Sequence, residues 1–438
     1  MLHTILKSTL RILAQMYLRK YKPTIVGITG NVGKTSTRDA VAAALSAQGP
    51  VKVGVGSINN LWGIPLTIVG SQEELRGYVE QGGTFAFWLG VVFNGFWRLW
   101  TVPTYPKMLV LEYGADHPGD IKQLAELFPP HIGVITGIGQ TPVHVEFFAS
   151  PQALAKEKTE LLKPLQPDQW AVLNFDDLTV LEMKNQTKAR ALTFGFGEGA
   201  DIQVRNFELI PGEKPSGISF DVRSGTGATY PMRLLGTLGR PQALACAAAL
   251  AVAQTFGIEL SRAVEGLRGY QPSAGRMRIL EGIKHSTIID DTYNASPLAM
   301  HAALDALREA PLQHIGGQRS RKIAVLGDML ELGEYTEQAH RVVGDRVADI
   351  ADILVCVGDK AIFIADSASK AMQKHQIFTF HTSVDAQTQV QAIIQEGDVI
   401  LVKGSQGKRM EKIVEEIMAY PEKKAELLVR QSKRWLEK

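Results

Sequence analysis

The chain has 438 residues, of which 45% are hydrophobic and 21% charged, so it is long enough for about three globular domains. Its formal net charge of +2 gives no electrostatic case for binding nucleic acid. The two distant cysteines, Cys246 and Cys356, exclude a cysteine metal cluster, and with no signal-peptide pattern at the start they lead us to expect a cytoplasmic protein.

Residues 1–22 carry apolar side chains at roughly helical spacing, with basic residues between them. We favour a helix that packs on the following domain, because apolar helix faces are usually buried. The alternative is a basic amphipathic helix that rests on an anionic membrane.

A glycine-rich loop, residues 27–36, follows the β-rich run 24–26 and precedes a predicted helix. Its glycine spacing departs from the strict P-loop pattern, but strand, loop and helix are all in place. Backbone N–H groups and the helix N-terminus can bind phosphates. Lys34 would reach the terminal phosphates, and the Thr35 hydroxyl would hold Mg²⁺. The sequence therefore predicts a site for ATP or GTP, made by Gly30, Asn31, Val32, Gly33, Lys34, Thr35 and Ser36.

Residues 84–102 form the most apolar stretch of the chain. Its length would just span a bilayer, but Asn94 and Arg98 argue against a lipid-exposed span. An aromatic-rich helix at a membrane surface or a partner interface fits better. The simplest alternative is a buried helical insertion.

The run 108–112 is a buried-type strand that ends in Glu112, and a second short strand starts near residue 131. Catalytic groups of open α/β sheets lie at the carboxyl ends of strands, which is where Glu112 is placed. A predicted helix with Lys156 and Lys158 follows. Short strands then alternate with turns over 165–235, before helices at 242–256 and 259–268.

A second βαβ pattern begins near residue 275, with strands alternating with helices. The predicted strands are 286–290, 322–326, 353–357 and 398–402, and the predicted helices are 297–309, 335–350 and 384–395. We therefore predict an α/β protein in which a P-loop ATPase domain with a parallel or mixed sheet precedes a Rossmann-like α/β domain. The predicted parts are a basic amphipathic helix at 1–23, a central domain at 24–274 with an aromatic insertion at about 80–106, and a C-terminal domain at 275–438.

Several short motifs occur in a fixed order from about residue 25 to the C-terminus. They are 30–35, 59–67, 111–121, His144 with 146–147, 155–160, 275–276, 290–297, 327–333 with His340, and 402–405. Together they resemble the Mur ligases, the ATP-dependent amide-bond-forming enzymes of peptidoglycan precursor synthesis. The segments Asp-Asp-Thr-Tyr-Asn (290–294) and Gly-Asp-Met-Leu-Glu-Leu-Gly (327–333) are most similar to the MurF type.

The resemblance implies that ATP converts a carboxylate into an acyl phosphate, which an amine then attacks. For the MurF type the substrates would be UDP-MurNAc-tripeptide, or a related muramyl peptide, and D-Ala-D-Ala, with Mg²⁺ as cofactor. It also implies an enzyme of cell-wall synthesis. We expect a monomer that binds no nucleic acid and that contacts a membrane only peripherally.

The resemblance also assigns roles to single residues. Thr35 and Glu112 would hold one Mg²⁺, His144 a second, and Lys158 would be carbamylated, which requires its neutral amine. Arg276 would reach phosphate across the cleft. The remaining implied contacts are Asp291 and Tyr293 with the nucleotide, Asn59, Asn60 and Asn294 with the substrate, and Asp328, Glu331, His340, Lys403 and Ser405 on the side of the incoming amine.

Three departures from the family pattern matter for function. Members that act on UDP-linked precursors usually carry a UDP-binding domain before the P-loop, whereas we expect only the basic helix here. Family members tend to have a Gly-x-His-Asn segment near the adenine, whereas this chain reads Gly239-Arg240-Pro241-Gln242, so Gln242 would replace the usual base contact. The aromatic stretch is an apparent insertion.

Two alternatives remain open at the level of sequence. A ligase of the same chemistry would use another carboxylate: a lipid-linked precursor, poly-γ-glutamate or a folyl-glutamate chain. A scaffold that binds ATP without catalysis would need no set of metal-binding residues, and Lys34, Thr35, Glu112, His144 and Lys158 together argue against it.

Overall fold

The computed structural model describes residues 2–139, 147–148, 150–210, 216–312, 314–315 and 318–437. It is an α/β protein with a nine-stranded and a six-stranded sheet, both mostly parallel, and a small two-stranded ribbon. The predicted fold class is confirmed.

The elements are numbered in chain order. The helices are α1 Leu2–Tyr21, α2 Lys34–Ser46, α3 Gly63–Val69, α4 Gln72–Gln81, α5 Phe85–Thr101, α6 Asp120–Leu127, α7 Pro151–Thr159, α8 Leu178–Glu182, α9 Arg240–Thr255, α10 Leu260–Leu267, α11 Pro297–Glu309, α12 Thr336–Ala348, α13 Ile362–Ala368, α14 Ser383–Ile393, α15 Glu411–Ile417, α16 Lys424–Leu427 and α17 Lys433–Leu436. The strands are β1 Thr24–Thr29, β2 Val51–Val53, β3 Met108–Glu112, β4 Ile132–Ile135, β5 Trp170–Asn174, β6 Arg190–Gly195, β7 Ile202–Ile210, β8 Gly217–Ser224, β9 Thr229–Leu235, β10 Arg278–Glu281, β11 Thr287–Asp291, β12 His314–Ile315, β13 Gln318–Arg319, β14 Lys322–Gly327, β15 Ile353–Val357, β16 Ile377–Phe380 and β17 Val399–Lys403.

The nine-stranded sheet has the order β2-β3-β1-β4-β5-β6-β7-β8-β9. It is parallel from β2 to β7, and antiparallel pairing adds β8 and β9. Strand β1 lies between β3 and β4, so the loop after β1 is flanked by the carboxyl ends of both neighbours. This order brings residues from three separate chain segments to one edge of the sheet.

The six-stranded sheet has the order β10-β11-β17-β14-β15-β16, with only β10 antiparallel. The carboxyl ends of β11 and β17 are adjacent, because Asp291 is in register with Lys403. This pairing places two charged side chains, Asp291 and Lys403, at the carboxyl ends of neighbouring strands.

Two cores cover the faces of the nine-stranded sheet. Alternate strand residues enter different cores, since Val26 and Val110 belong to one and Ile25 and Leu109 to the other. The first core contains α2, α9 and α10 and continues into the six-stranded sheet, while the second contains α1, α3, α5, α6 and α7. The first core therefore joins the two sheets.

Helices α1 and α5 pack side by side. The Tyr17 hydroxyl donates to Gly95 O at 2.7 Å, and the Tyr21 hydroxyl donates to Val102 O at 2.6 Å. The prediction that the first helix packs on the following domain is confirmed for its inner face, because Leu10 and Leu13 are buried. Within the described ranges, every helix falls short of the length and apolarity needed to cross a bilayer.

The alternative of a buried helical insertion at 84–102 holds for only one side of the helix. Helix α5 buries Trp88, Val91, Gly95 and Leu99, but most of its other large apolar side chains are exposed. The predicted strands and helices of both βαβ patterns are present within a few residues. Sequence reasoning missed β10, β16, α13 and α15, which are short and have mixed polarity.

We predict that Gly95→Ala destabilises the protein. A Cβ on Gly95 would lie 2.2 Å from Val69 Cγ1 and 3.0 Å from Leu13 Cδ2, so α5 must shift away from its neighbours. We expect a loss of about 1–3 kcal/mol, measured as a lower midpoint of thermal unfolding. Gly90→Ala on the same helix is the control, because its Cβ would meet no atom of the described chain within 4 Å. That substitution should stabilise α5 by about 1 kcal/mol or less, and equal effects of both changes would contradict this packing.

Candidate active site

The loop between β1 and α2 has a backbone that only glycine adopts readily. Gly30 and Gly33 have φ values of +148° and +81°. A Cβ on Gly30 would lie 2.1 Å from Thr136 Oγ1, which follows β4. The backbone N–H of Asn31 donates to Gly137 O at 2.7 Å. The segment after β4 therefore fixes the shape of the loop.

Lys34 folds back over this loop. Its Nζ donates to Gly30 O at 2.9 Å and to Asn31 O at 3.2 Å. Burial lowers the pKa of Lys34, and the negative charge of Glu112 opposes that shift. At Gly33, the N-cap of α2, no side chain of the described residues caps the helix. An uncapped helix N-terminus beside an ammonium group fits a phosphate.

The Glu112 carboxylate lies at the centre of the site and is only 4% exposed. Thr35 Oγ1 donates to its Oε2 at 2.9 Å, and Asn59 Nδ2 donates to its Oε1 at 3.0 Å. Burial alone would raise the pKa of Glu112, but the positive charges of Arg38, Lys34 and Arg276 hold it below its ordinary value. The carboxylate is therefore ionised and surrounded by cations.

The Thr35 and Glu112 oxygens fit a magnesium site. Two neighbouring ligands of an octahedral Mg²⁺ lie about 3 Å apart, since each Mg–O bond is about 2.1 Å. The observed distance between Thr35 Oγ1 and Glu112 Oε2 is 2.9 Å. Both are hard oxygen donors, the type that Mg²⁺ prefers. The predicted ligand His144 lies outside the described residues, and within those residues no group of three His, Cys, Asp or Glu is arranged to hold a metal.

Arg276 connects the second part of the chain to the P-loop. Its Nη2 donates to Thr35 Oγ1 at 2.9 Å, and its guanidinium lies 4.0 Å from the centroid of the Tyr293 ring. The ring packs against the guanidinium in a favourable cation–π contact. A residue that precedes β10 thus lies at the nucleotide loop of β1.

Lys158 on α7 is 1% exposed. Burial, together with the nearby charge of Lys34, lowers the pKa of Lys158 to about 7. The adjacent Glu157 is bound to the start of α6, because it accepts from Gly119 N at 2.9 Å and Ile121 N at 2.7 Å. Lys156, on the same helix, is exposed. The helix register therefore turns Lys158 inward.

Asp291 and Lys403 form an ion pair at the edge of the six-stranded sheet, with an O–N distance of 2.5 Å. Lys403 Nζ also donates to the carbonyl of Asn294 at 2.9 Å. Asp291 accepts from the backbone N–H of Met277 at 3.2 Å, directly after Arg276. The pair therefore anchors the segment that carries Arg276 and lies next to Tyr293.

Three residues predicted on the amine side make internal contacts. Asp328 accepts from Ala361 N at 2.7 Å and pairs with Lys408 at 2.7 Å. His340 is buried and accepts from Met329 N at 3.0 Å, and burial lowers the pKa of His340. Ser405 Oγ accepts from Leu330 N at 2.9 Å. These side chains shape the loop 327–333, in which Glu331 is exposed.

Two other predicted contacts also use their side chains within the protein. Asn60 Oδ1 accepts from the backbone N–H of Gly63, the first residue of α3, at 3.0 Å. Gln242 is buried; its amide donates to Arg276 O at 3.1 Å and accepts from the Tyr270 hydroxyl at 2.8 Å. Gln242 thus fixes the position of the Arg276 backbone.

Sequence reasoning missed the residues that stabilise this cluster. Arg38 lies 3.7 Å from Glu112 and also pairs with Asp39 at 2.6 Å, and Ser273 donates to Asp39 at 2.7 Å. Arg38 lies one helical turn after Thr35 and so on the same face of α2. The helical spacing could therefore have predicted that Arg38 contacts the site. Ser273 is distant in sequence from Asp39, and no sequence pattern predicts their contact.

Comparison with known proteins identifies two matching family models. Residues 101–253 match the model of the Mur ligase middle domain, and residues 275–406 match that of the Mur ligase glutamate ligase domain. The chain is 29% identical to the UDP-N-acetylmuramoyl-tripeptide–D-alanyl-D-alanine ligase of Bacillus subtilis, over 94% of this chain and 80% of that protein. It is 30% identical to the same-named ligase of Mycobacterium tuberculosis, over 90% of this chain and 73% of that protein.

A solved structure shares the fold. The MurF ligase of Thermotoga maritima, solved in complex with ADP, superposes with a TM-score of 0.75 and 26% identity, over 96% of this chain and 85% of that chain. Both βαβ parts of the present chain lie within this match.

We predict that Glu112→Gln weakens Mg²⁺-dependent binding of ATP. The amide keeps the shape but removes the negative charge that faces Lys34, Arg38 and Arg276. We expect the Kd for ATP with Mg²⁺ to rise by about tenfold or more, measured by calorimetry, and a smaller change in EDTA. Glu126→Gln is the control, since Glu126 is exposed on α6. Unchanged Mg²⁺ dependence in Glu112→Gln would exclude Glu112 as a metal ligand.

Proposed function

The chain belongs to the Mur ligase family of ATP-dependent amide ligases, and from that premise we propose that it adds D-Ala-D-Ala to a muramyl tripeptide in peptidoglycan precursor synthesis. The products would be the muramyl pentapeptide, ADP and phosphate. The donor would be UDP-MurNAc-tripeptide or a related muramyl peptide. This reaction would take place in the cytoplasm.

The junction of Arg276, Thr35 and Glu112 carries the proposal. The P-loop hydroxyl of Thr35 lies within hydrogen-bond distance of both a cation from the C-terminal part, Arg276, and the buried carboxylate of Glu112. A ligation that joins two anions, a carboxylate and a phosphate, needs such a concentration of positive charge. A protein that only bound ATP would not need both Arg276 and the buried Lys158 near the Glu112 carboxylate.

We assign the chemical roles as follows. ATP bound with Mg²⁺ would supply the phosphoryl group and the metal charge that offsets the reacting anions. Lys34 and Arg276 would stabilise the phosphate oxygens, and Thr35 and Glu112 would hold the metal. A carboxylate oxygen of the donor bonds to phosphorus as the bond to ADP breaks. The incoming amine then bonds to the acyl carbon, phosphate leaves, and the amine releases a proton.

Lys158 would serve as a further acidic group after carbamylation. The neutral amine of Lys158 adds to CO₂ and releases one proton, which leaves a carbamate with one negative charge. A pKa of about 7 makes the neutral amine available at the pH of the cytoplasm. The carbamate would lie among Lys34 and the other cations of the site.

We predict that the purified protein converts UDP-MurNAc-tripeptide and D-Ala-D-Ala to the pentapeptide when ATP and Mg²⁺ are present, as measured by mass spectrometry. Lys34→Ala should lower the rate by about 10²-fold or more, because a cation at the transferred phosphate is lost. Lys163→Ala, at an exposed lysine, is the control. ATP binding without product would move the donor to a lipid-linked, poly-γ-glutamate or folyl-glutamate carboxylate, and full activity of Lys34→Ala would contradict the mechanism.

We predict that Lys158 takes up ¹³C-labelled CO₂ and gives a carbamate signal in ¹³C NMR. Because the folded-state pKa of Lys158 is about 7, the neutral amine increases as pH rises, so the signal should grow from about pH 6 to about pH 8. Lys158→Ala should lose the signal and most activity. Lys156→Ala, two residues away and exposed, should keep both. A signal that persists in Lys158→Ala would place the modification elsewhere.

A further inference from the structure

We propose that the outer face of α1 and α5 docks this protein onto a bilayer surface that contains anionic lipids. The aromatic face, as we call it, consists of exposed apolar side chains on these two helices. Its members are Ile5 and Ile12 on α1, and Phe85, Leu89, Phe93, Phe96, Trp97 and Trp100 on α5.

The aromatic face is exposed to an unusual degree for large side chains. Phe93, Trp97 and Trp100 are 72%, 65% and 70% exposed. A few exposed apolar residues are normal on any surface, but a contiguous patch marks an interaction site. Tryptophan and phenylalanine are the side chains that favour the boundary between lipid head groups and acyl chains.

Helical geometry puts these residues on one side of α5. At about 100° per residue, the six exposed apolar side chains of α5 fall within an arc of about 120°. Trp88, Val91, Gly95 and Leu99, which are buried against the protein, fall on another side. Helix α5 therefore has two apolar sides. One side is buried by the protein, and the other is exposed and available to a partner.

The exposed sides of α1 and α5 are continuous. Hydrogen bonds from Tyr17 to Gly95 and from Tyr21 to Val102 show that the two helices run parallel. Met16, Arg19 and Lys20 of α1 and Leu99 and Trp100 of α5 line one shared open cavity of about 360 Å³. This cavity joins an apolar wall to two cations, which fits an acyl chain beside an anionic head group.

Charge complementarity identifies the occupant as an anionic bilayer. Helix α1 carries Lys7, Arg11, Arg19 and Lys20, and neither α1 nor α5 contains an Asp or a Glu. The chain as a whole has a net charge of only +2, so the positive charge is concentrated here. Basic residues around an apolar helix face attract anionic lipids. A second copy of this chain would instead place these cations against one another.

The helices would lie on the membrane and not pass through it. Helix α5 has 17 residues, a length of about 25 Å, which is below the hydrocarbon thickness of about 30 Å. Arg98 points away from the aromatic face and pairs with Glu74 at 2.6 Å. The protein body covers the opposite side of the helix.

The test is flotation of the full-length protein with vesicles of phosphatidylcholine alone or with about 30% phosphatidylglycerol. We expect binding to the anionic vesicles only, weakened at high salt. Trp97→Ser with Trp100→Ser should lower the bound fraction by about tenfold, because these side chains supply much of the buried apolar area. Arg19→Gln with Lys20→Gln should also lower the bound fraction on anionic vesicles and make it less dependent on salt. Leu178→Ser is the control, since Leu178 is 70% exposed at a distant site.

Thermal unfolding and ligase activity with water-soluble substrates show whether each variant is folded, and neither should change. The proposal is wrong if the wild type fails to float with anionic vesicles, or if it floats equally with phosphatidylcholine alone. It is also wrong if the double tryptophan variant floats as well as the wild type. A dimer in light scattering that the tryptophan variant dissolves, without vesicle binding, would assign the face to self-association. Because vesicle binding needs no turnover, this result stands or falls separately from the proposed ligase reaction.

Discussion

The burial of the Glu112 carboxylate is the constraint on which the site depends. A negative charge in the interior is costly unless cations and hydrogen-bond donors surround it. Here the carboxylate accepts from Thr35 and Asn59, while Arg38 lies at 3.7 Å. Its charge in turn stabilises the buried ammonium of Lys34. The P-loop, the strand end of β3 and the turn at Asn59 are therefore interdependent, and removal of any one charge would leave others uncompensated.

One of the cations near Glu112, Arg276, also links the two sheets. Arg276 reaches Thr35 from the segment that precedes β10, supported by Gln242 below and by the Tyr293 ring on its other side. Arg430 also lies near that ring, at 5.8 Å, and pairs with Glu411. The C-terminal part thus contributes a positioned cation to the site. A change in how the two parts meet would move Arg276 relative to the loop.

Much of the fold could be predicted from the sequence, because strand and helix periodicities are strong in both βαβ parts. The P-loop and Glu112 were also recognisable, since glycines and a terminal carboxylate mark the ends of apolar strands. Contacts between distant segments were not predictable; Ser273 binds Asp39 only because the chain returns to α2. The burial of Lys158 and the exposure of Lys156 follow from how α7 packs on α6, which the sequence alone does not show. The exposure of Trp97 and Trp100 was undecided, because α5 is apolar on both its inner and outer sides.

Helix α5 lies within a stretch of chain whose two ends meet at the site. Asn59 begins this stretch and Glu112 ends it, and the bonds from Asn59 Nδ2 to Glu112 and from Gly114 N to Asn59 O close it, at 3.0 and 2.8 Å. The entropy cost of closing a loop rises by only about 0.6 kcal/mol for each doubling of its length. Once the ends are fixed, the intervening chain can lengthen, acquire a helix and change its surface at little cost to the carboxyl end of β3. The closed loop therefore allows the exposed surface of α5 to change while the site around Glu112 keeps its structure.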